Sequence, residues 1–333
     1  MACLSQIIDI NEWRESTDTA SIPAAHSEAM RDELRAAFRN RLELPEHHLE
    51  RRFDESLRYL LDHHGSMMRP RIVYQMAMAY GLNKQGAIDL AIALEYFHSS
   101  SLVFDDLPCM DNASMRRGTP CVHRLYGESG AILAALALIN RAYALAWRTV
   151  SCCPLGVRQQ ALIYLEQRLG VQGLLNGQSL DLNYATLPNT LDATERVARG
   201  KTVSLISLAL VMPAILGAAS EREQQLLQRI STSWGLGYQI IDDLKDVLQN
   251  SSAIGKTAAR DKNLGRPNIA LAIGVSAAVE RLTRLLRVGD RTMETLIELR
   301  PSLVFLREFR SVLKDELSRV IEGAGAIPID SKR

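Results

Sequence analysis

Apolar positions recur along this chain at the three- and four-residue spacing of buried helix faces, and they do so almost without interruption. The pattern predicts helices near 27–42, 47–63, 70–80, 84–104, 128–150, 157–184, 190–217, 221–250, 267–286 and 292–320. Their breaks fall where the residues forbid or discourage helix: Pro45, Gly65, Gly81, Gly118-Thr119-Pro120, Pro154, Pro188, Gly255 and Pro301. No alternating two-residue period is backed by turn dipeptides, so strands are not required. The segments 84–104 and 128–150 are apolar nearly all round, which places such helices in a large core or at a subunit interface. The run from Ala131 to Trp147 is shorter than a bilayer span and carries Asn140 and Arg141, so it is read as a buried core helix. The expected architecture is all-α, about ten helices in one domain over residues 26–321. Residues 1–25 and 322–333 are polar or Gly-rich and are expected to be poorly ordered ends.

Composition narrows this picture little. The 333 residues are 47% hydrophobic and 23% charged, with a net charge of +1, which gives no reason to expect nucleic acid or an anionic membrane as partner. Aromatic residues make up only 5%, and abundant Ala and Leu suit helix packing. The five cysteines (Cys3, Cys109, Cys121, Cys152 and Cys153) are odd in number and lack disulfide-framework spacing. They are read as reduced thiols of a cytoplasmic protein, and the start MACLSQIIDINE has no basic segment of a secretory leader. No stable membrane anchor is expected.

Chemistry concentrates in two acidic clusters, Asp105-Asp106…Asp111 and Asp242-Asp243…Asp246, each directly behind an apolar helical run. Carboxylates are hard oxygen ligands, and Mg²⁺ takes one or two of them while bridging to substrate phosphates. Asp242 and Asp246 are four apart and share one helix face, where like charges repel until a cation joins them. Pro108 should open the helix after Asp106, and a bulge there would return Asp111 to the face of Asp105. A lone Asp pair would mark only a solvated helix end. Two clusters with basic residues behind both point to a diphosphate held through Mg²⁺. His63, His64 and His123 show no metal-ligand spacing.

The segments FHSSSLVFDDLPCMDNASMRRGTPCVH and GYQIIDDLKDV resemble the two aspartate-rich motifs of trans-isoprenyl diphosphate synthases (the polyprenyl synthetases). The resemblance runs from about residue 60 to 270 and includes GQSLDL at 177–182, Lys201-Thr202 and GKTAARDKNLGR at 255–266. The first motif is most similar to that of bacterial and plant geranylgeranyl diphosphate synthases. It implies the isoprenoid synthase fold around a central cavity, and three Mg²⁺ ions bound by Asp105, Asp111 and Asp242 with Asp106, Asp243 and Asp246 in support; the homodimer is expected from the helices 84–104 and 128–150, which are apolar nearly all round. The resemblance also implies an allylic diphosphate held by Arg116, Lys201 and Lys256, with Gln178, Asp181 and Gln239 completing the polar ring and Thr202 near the carbocation. Isopentenyl diphosphate would meet Arg69, His98 and Arg117. Ser101 and Ser100, four and five residues before Asp105, would line the product tunnel, and small Ser100 leaves room for a C20 chain.

One departure changes the expectation. Where the family carries Gly-Gly-Lys-Arg-x-Arg-Pro, this chain reads His64-Gly65-Ser66-Met67-Met68-Arg69-Pro70, so a Lys and an Arg are missing on the acceptor side. One lost charge-assisted contact to phosphate is worth roughly 1.5–3 kcal/mol. The main expectation is chain elongation to geranylgeranyl diphosphate. The alternatives are a terpene cyclase or an enzyme with another acceptor, and a non-catalytic subunit that regulates an active synthase.

Overall fold

A computed structural model describes residues 24–45, 48–252 and 266–324. Helix dominates, and the described chain divides into two compact units. One holds the residues up to Glu166 together with Leu208–Gln224; the other holds Gln167–Ser207 and the chain from Gln225 onward.

In the first unit, α1 (Ala24–Asn40), α2 (Arg51–Asp62), α3 (Met68–Ala79), α4 (Lys84–Asp105) and α5 (Val122–Val150) surround a core centred on α4, joined by most of α6 (Leu155–Leu169) and of α9 (Ser204–Leu216). Asn83 starts α4 by accepting the Gly86 N–H at 2.8 Å, relieving one of the unpaired donors of a helix start. Along α4, Ala87, Ala91, Ile92 and Tyr96 are fully enclosed, and burial of each large apolar side chain contributes about 1.5–3 kcal/mol. The Tyr96 hydroxyl donates to the Phe38 carbonyl at 2.6 Å, so its buried oxygen is satisfied and α1 is tied to α4. Inside α5, Gly127 (φ 79°) separates a first turn from the long helix.

In the second unit, α7 (Leu174–Leu182), α8 (Leu191–Ala198), a π-helical segment Arg199–Val203, the body of α10 (Glu221–Ser252), α11 (Ile269–Ile273), α12 (Val275–Leu299) and α13 (Leu306–Ala324) pack together. The closest approach joins α7 to the π segment. A Cβ on Gly177 would lie 2.4 Å from the Gly200 carbonyl carbon and the Lys201 nitrogen, so the two backbones touch where neither has a side chain.

Four sequence expectations are corrected. The helix expected over 157–184 is broken near Gly173, which sits outside helical angles, and the one over 190–217 carries the π segment. The helices expected at 267–286 and 292–320 redistribute. Gly274 (φ 85°) starts α12, which runs unbroken through 287–299, and the break comes at Arg300 and Pro301. A two-stranded ladder, β1 (Met115–Arg116) with β2 (Thr119–Pro120), exists where no strand was expected. Its turn residues Arg117 (φ 53°) and Gly118 (φ 82°) are both left-handed, the geometry of a two-residue hairpin, and six residues are too few to show a period. At the C-terminal end, α13 continues to Ala324.

Lys84–Asp105, Val122–Val150 and Leu191–Leu216 are each long and apolar enough to cross a membrane. The first and last bury most of that surface, whereas Val122–Val150 buries 39%. The core-helix reading of Ala131–Trp147 therefore holds for one face only: Ile132, Leu133, Leu136, Tyr143 and Trp147 are exposed on the other.

Candidate active site

Asp105 is the last residue of α4, and the helix does open after Asp106. Asp111 donates its backbone N–H to the Asp105 carbonyl at 2.9 Å, while Met110 and Asn112 both return to the Leu107 carbonyl. Pro108 supplies no N–H to a continuing helix, and the resulting loop carries the Asp111 backbone back to Asp105. Asp105 and Asp106 are buried. Asp106 is engaged by Arg116: Nε donates to both carboxylate oxygens at 2.9 Å and Nη2 to Oδ1 at 2.7 Å. Burial opposes the charge on Arg116, but the hydrogen bonds and charge of Asp106, with Asp105 beyond, raise its pKa overall. The hairpin thus locks one cation against the first cluster.

The second residue of that hairpin serves another place. The Arg117 guanidinium lies over Gly65, where a Cβ would come within 2.6 Å of Nη1. Close by, Arg69 Nη1 stands 3.2 Å from His98 Nε2. Arginine has no lone pair to offer, so His98 must accept through Nε2 and carry its proton on Nδ1. Burial, then Arg69, Arg117 and Arg116, hold the His98 pKa well below its ordinary value, so the ring is neutral. Among the described residues, Arg69 Nε and His98 Nδ1 are buried N–H groups without a hydrogen-bond partner. Unmet buried donors are costly, and an anion would satisfy them.

Sequence reasoning missed Glu95. It is buried on α4 one turn before His98, and burial pushes its carboxyl up to about 7 although Arg69 and Arg117 pull it down. An acid three residues from a histidine inside the apolar run 84–104 was the available signal. Ser66 is exposed, and Met67 buries its side chain with a left-handed backbone (φ 58°) at the start of α3. Met67 thus belongs to the core. Ser100 is buried and Ser101 half-buried, and each donates its hydroxyl to the carbonyl three residues earlier (Phe97 and His98) at 2.8 Å.

In the second unit, the contact of Gly177 with Gly200 sets α7 beside the π segment, and Lys201 Nζ reaches Asp181 Oδ2 at 2.9 Å. Arg266 Nη1 approaches the same oxygen at 3.7 Å. Single π turns often occur at functional sites. Gln178 Nε2 is another buried donor without a partner among the described residues. Thr202 Oγ1 is 2.8 Å from Gln239 Oε1, and Gln239 Nε2 donates to Asp243 Oδ1 at 2.8 Å. The other Asp243 oxygen accepts the Ile269 N–H at 2.6 Å, and Asn268 Nδ2 donates to the Asp243 carbonyl at 3.1 Å. Asp243 therefore holds the start of α11 as well as Gln239. Asp242 reaches the surface, yet the protein around it removes enough water to raise its carboxyl; Lys245 opposes this, and Asp246 and Glu316 add to it. Lys245 is itself paired with Glu316 at 2.5 Å. Lys256 lies outside the described residues.

The donor chemistry fits Mg²⁺. Asp105 with Asp111, and Asp242 with Asp246, are pairs of hard oxygen donors on an ordered helix end and a helix face. Among the described residues no three metal-capable side chains converge. One or two carboxylates, with water and phosphate oxygens, are what Mg²⁺ takes.

An acidic helix end clamped by arginine, unmet donors at Arg69 and His98, and a lysine on a π turn define an enzyme that handles phosphorylated substrates. The chain belongs to the polyprenyl synthetase family, whose sequence profile matches residues 50–298. It is a trans-prenyltransferase of the isoprenoid synthase fold. Similar proteins include geranylgeranyl pyrophosphate synthase 3 of Arabidopsis thaliana, 35% identical over 247 residues, covering 72% of this chain and 68% of that one. The geranylgeranyl diphosphate synthase of Pseudescherichia vulneris is 37% identical over 231 residues, covering 68% and 73%. Among solved structures, an FPP/GFPP synthase from Zymomonas mobilis superposes with a TM-score of 0.72 at 24% identity, covering 86% of this chain and 98% of that one. A geranyltransferase from Helicobacter pylori, complexed with magnesium and isoprenyl diphosphate, gives 0.71 at 25% identity, covering 90% and 99%. Prenyl synthetases use Mg²⁺, and their substrates are allylic and isoprenyl diphosphates.

Proposed function

We propose that this enzyme joins an allylic diphosphate to isopentenyl diphosphate and ends at geranylgeranyl diphosphate. The allylic C1–O bond breaks with its electrons on the diphosphate, the π bond of isopentenyl diphosphate attacks C1, and a proton leaves. Asp105 and Asp111 would hold two Mg²⁺ ions and Asp242 a third, with Asp246 in support. When bound, the ions neutralise charge developing on the leaving diphosphate. Asp106 and Asp243 act through the groups they hold, Arg116 and Gln239. Lys201 and Lys256, with Arg116, Gln178 and Asp181, bind the allylic diphosphate. Thr202 faces the forming cation.

The unmet donors Arg69 Nε and His98 Nδ1 carry the acceptor assignment. Half-buried Arg69 and exposed Arg117 supply positive charge there, and buried, neutral His98 supplies a donor, despite the missing Lys at Ser66. The competing reading, a cyclase or an enzyme with a different acceptor, draws on Ser66 and Met67, neither of which offers a charge. Protein incubated with Mg²⁺, farnesyl diphosphate and labelled isopentenyl diphosphate should yield a labelled C20 diphosphate. Hydrocarbon from the allylic diphosphate alone would favour the competing reading. Stimulation of a second synthase without intrinsic turnover would favour a regulatory subunit. Asp105→Ala and Asp242→Ala should each abolish turnover.

The small, buried Ser100 supports the C20 product, and the face of α5 supports the homodimer. Phe97, whose carbonyl accepts the Ser100 hydroxyl, lines an apolar slit with Val73, Leu90, Leu94 and Met212 that has about 10 Å³ of free volume, room for one water and no more. A growing chain must push these side chains aside, so Ser100→Phe should shorten the product. The exposed apolar face of α5 suits a second copy of the chain better than a membrane, because Arg141 and Arg148 interrupt it with ion pairs to Glu43 and Asp89.

A further inference from the structure

At the opposite end of α4 from Asp105, about 30 Å along the helix, the first unit encloses a cavity of about 520 Å³. That volume is in the range of small-molecule sites. Tyr80, Leu82, Pro154 and Leu216 give it an apolar wall, and two adjacent thiols, Cys152 and Cys153, line it as well. Cys152 is exposed and Cys153 half-buried. Their sulfurs are held only by weak contacts: Cys152 Sγ to the Arg148 carbonyl at 3.3 Å, and Cys153 Sγ to the Thr149 and Leu216 carbonyls at 3.8 Å. The residues around them are ordered by better bonds. Arg158 Nη2 donates to the Ser151 and Cys153 carbonyls at 2.8 and 3.1 Å, and Asp89 is fixed by Arg41 Nε at 2.7 Å and Gln85 Nε2 at 2.8 Å. These bonds tie down the wall, and the acceptors of the two sulfurs, the Arg148 and Thr149 carbonyls, are successive positions in the last turn of α5.

Neither thiol has a place in prenyl transfer. The only other exposed cysteine among the described residues, Cys109, stands in the acidic loop without a second thiol beside it.

We propose that this cavity is a dithiol site for a soft, thiophilic ligand that takes both sulfurs at once, of the class of trivalent organoarsenicals, with the organic group seated on the apolar wall. The reaction needs no oxidant. The As–O bond of an aryl arsenoxide breaks, two As–S bonds form, and the two thiol protons leave with the oxygen as water. Burial and the neighbouring Cys152 raise the Cys153 pKa, with Arg158 pulling the other way, so Cys153 enters as a protonated thiol.

The test uses the full chain and phenylarsine oxide, followed by intact mass and thiol titration. One arsenical per chain is expected, consuming two titratable thiols. Cys152→Ser and Cys153→Ser should each lower affinity at least about a hundredfold, since one As–S bond is lost in each, whereas Cys109→Ser should change nothing. Arsenite, which lacks the ring, should bind at least about tenfold more weakly, and Leu82→Trp should remove that difference by filling the wall. Full binding by either serine variant, or loss of binding with Cys109→Ser, would overturn the dithiol assignment. Equal affinity for arsenite and the aryl compound would overturn the role of the cavity. Folding of each variant is checked by its melting temperature, and prenyl transfer should persist in the serine variants because the thiols lie away from that site.

Discussion

Replacing Gly177 by alanine tests what aligns Lys201. The added Cβ would stand 2.4 Å from the Gly200 carbonyl carbon and from the Lys201 nitrogen. Both atoms are backbone, so no side chain can swing aside. Ordinary contact begins near 3.4 Å, and the π segment must therefore retreat from α7 by about 1 Å. Overpacking of this kind costs about 1–3 kcal/mol of stability, so the variant should fold with a lower melting temperature. The larger effect falls on chemistry. Lys201 Nζ now sits 2.9 Å from Asp181 Oδ2, and a misplacement of about 1 Å at a catalytic group can cost about a hundredfold in rate. Gly156→Ala, at a glycine whose added Cβ meets nothing within 4 Å, is the matched control. Steady-state kinetics with allylic diphosphate, beside thermal melts, separate the two terms. A kcat within twofold of the parent in a destabilised Gly177→Ala protein would refute the claim that this contact positions Lys201.

Three other substitutions probe the acceptor side. Gly65→Ala would press a Cβ on the movable end of Arg117, so the fold should stand while KM for isopentenyl diphosphate rises by about tenfold, the lower end of one charge-assisted contact. Ser66→Lys should lower that KM by about tenfold to a hundredfold, because the residue is exposed and adjacent to the Gly65–Arg117 contact; an unchanged KM would place Ser66 outside the site. Glu95 gives a pH signature. Its carboxyl is raised from 4.5 to about 7, so the unfolded chain releases this proton first and Glu95 reduces stability progressively as pH rises through that window. Above about 7 the ionised group also offsets the positive charge that Arg69 and Arg117 offer an anion, and KM for isopentenyl diphosphate should climb. Glu95→Gln should flatten both trends, measured by melts and initial rates from pH 5 to 9; parallel profiles for parent and variant would show that Glu95 does not titrate there.

The long helices were legible because periodicity is a local property: α4 and α10 begin and end within two residues of the apolar runs that define them. Breaks caused by one residue's backbone angle were not, as at Gly274, since glycine marks a turn only when its φ is known. The aspartates were legible as candidates, but their division of labour was not. Nothing in the spacing of Asp106 and Arg116, or of Asp243 and Ile269, says that these groups bond to each other, because a hairpin or a neighbouring helix start must first fold to bring them together. Glu95 was hidden for the opposite reason. Its neighbours in sequence are apolar, and its cationic neighbours come from α3 and the hairpin.

The bonds from Ile269 through Asp243 and Gln239 to Thr202 also run in one direction. A carboxylate can only accept, so Asp243 compels Gln239 to turn its amide nitrogen that way and to present its oxygen to Thr202. That oxygen claims the single hydroxyl proton of Thr202. What remains on the far side of the hydroxyl is a pair of lone pairs with no proton to give. A helix start more than sixty residues away thus makes Thr202 an electron-rich neighbour, able to steady a cationic carbon and unable to donate a proton to anything that approaches.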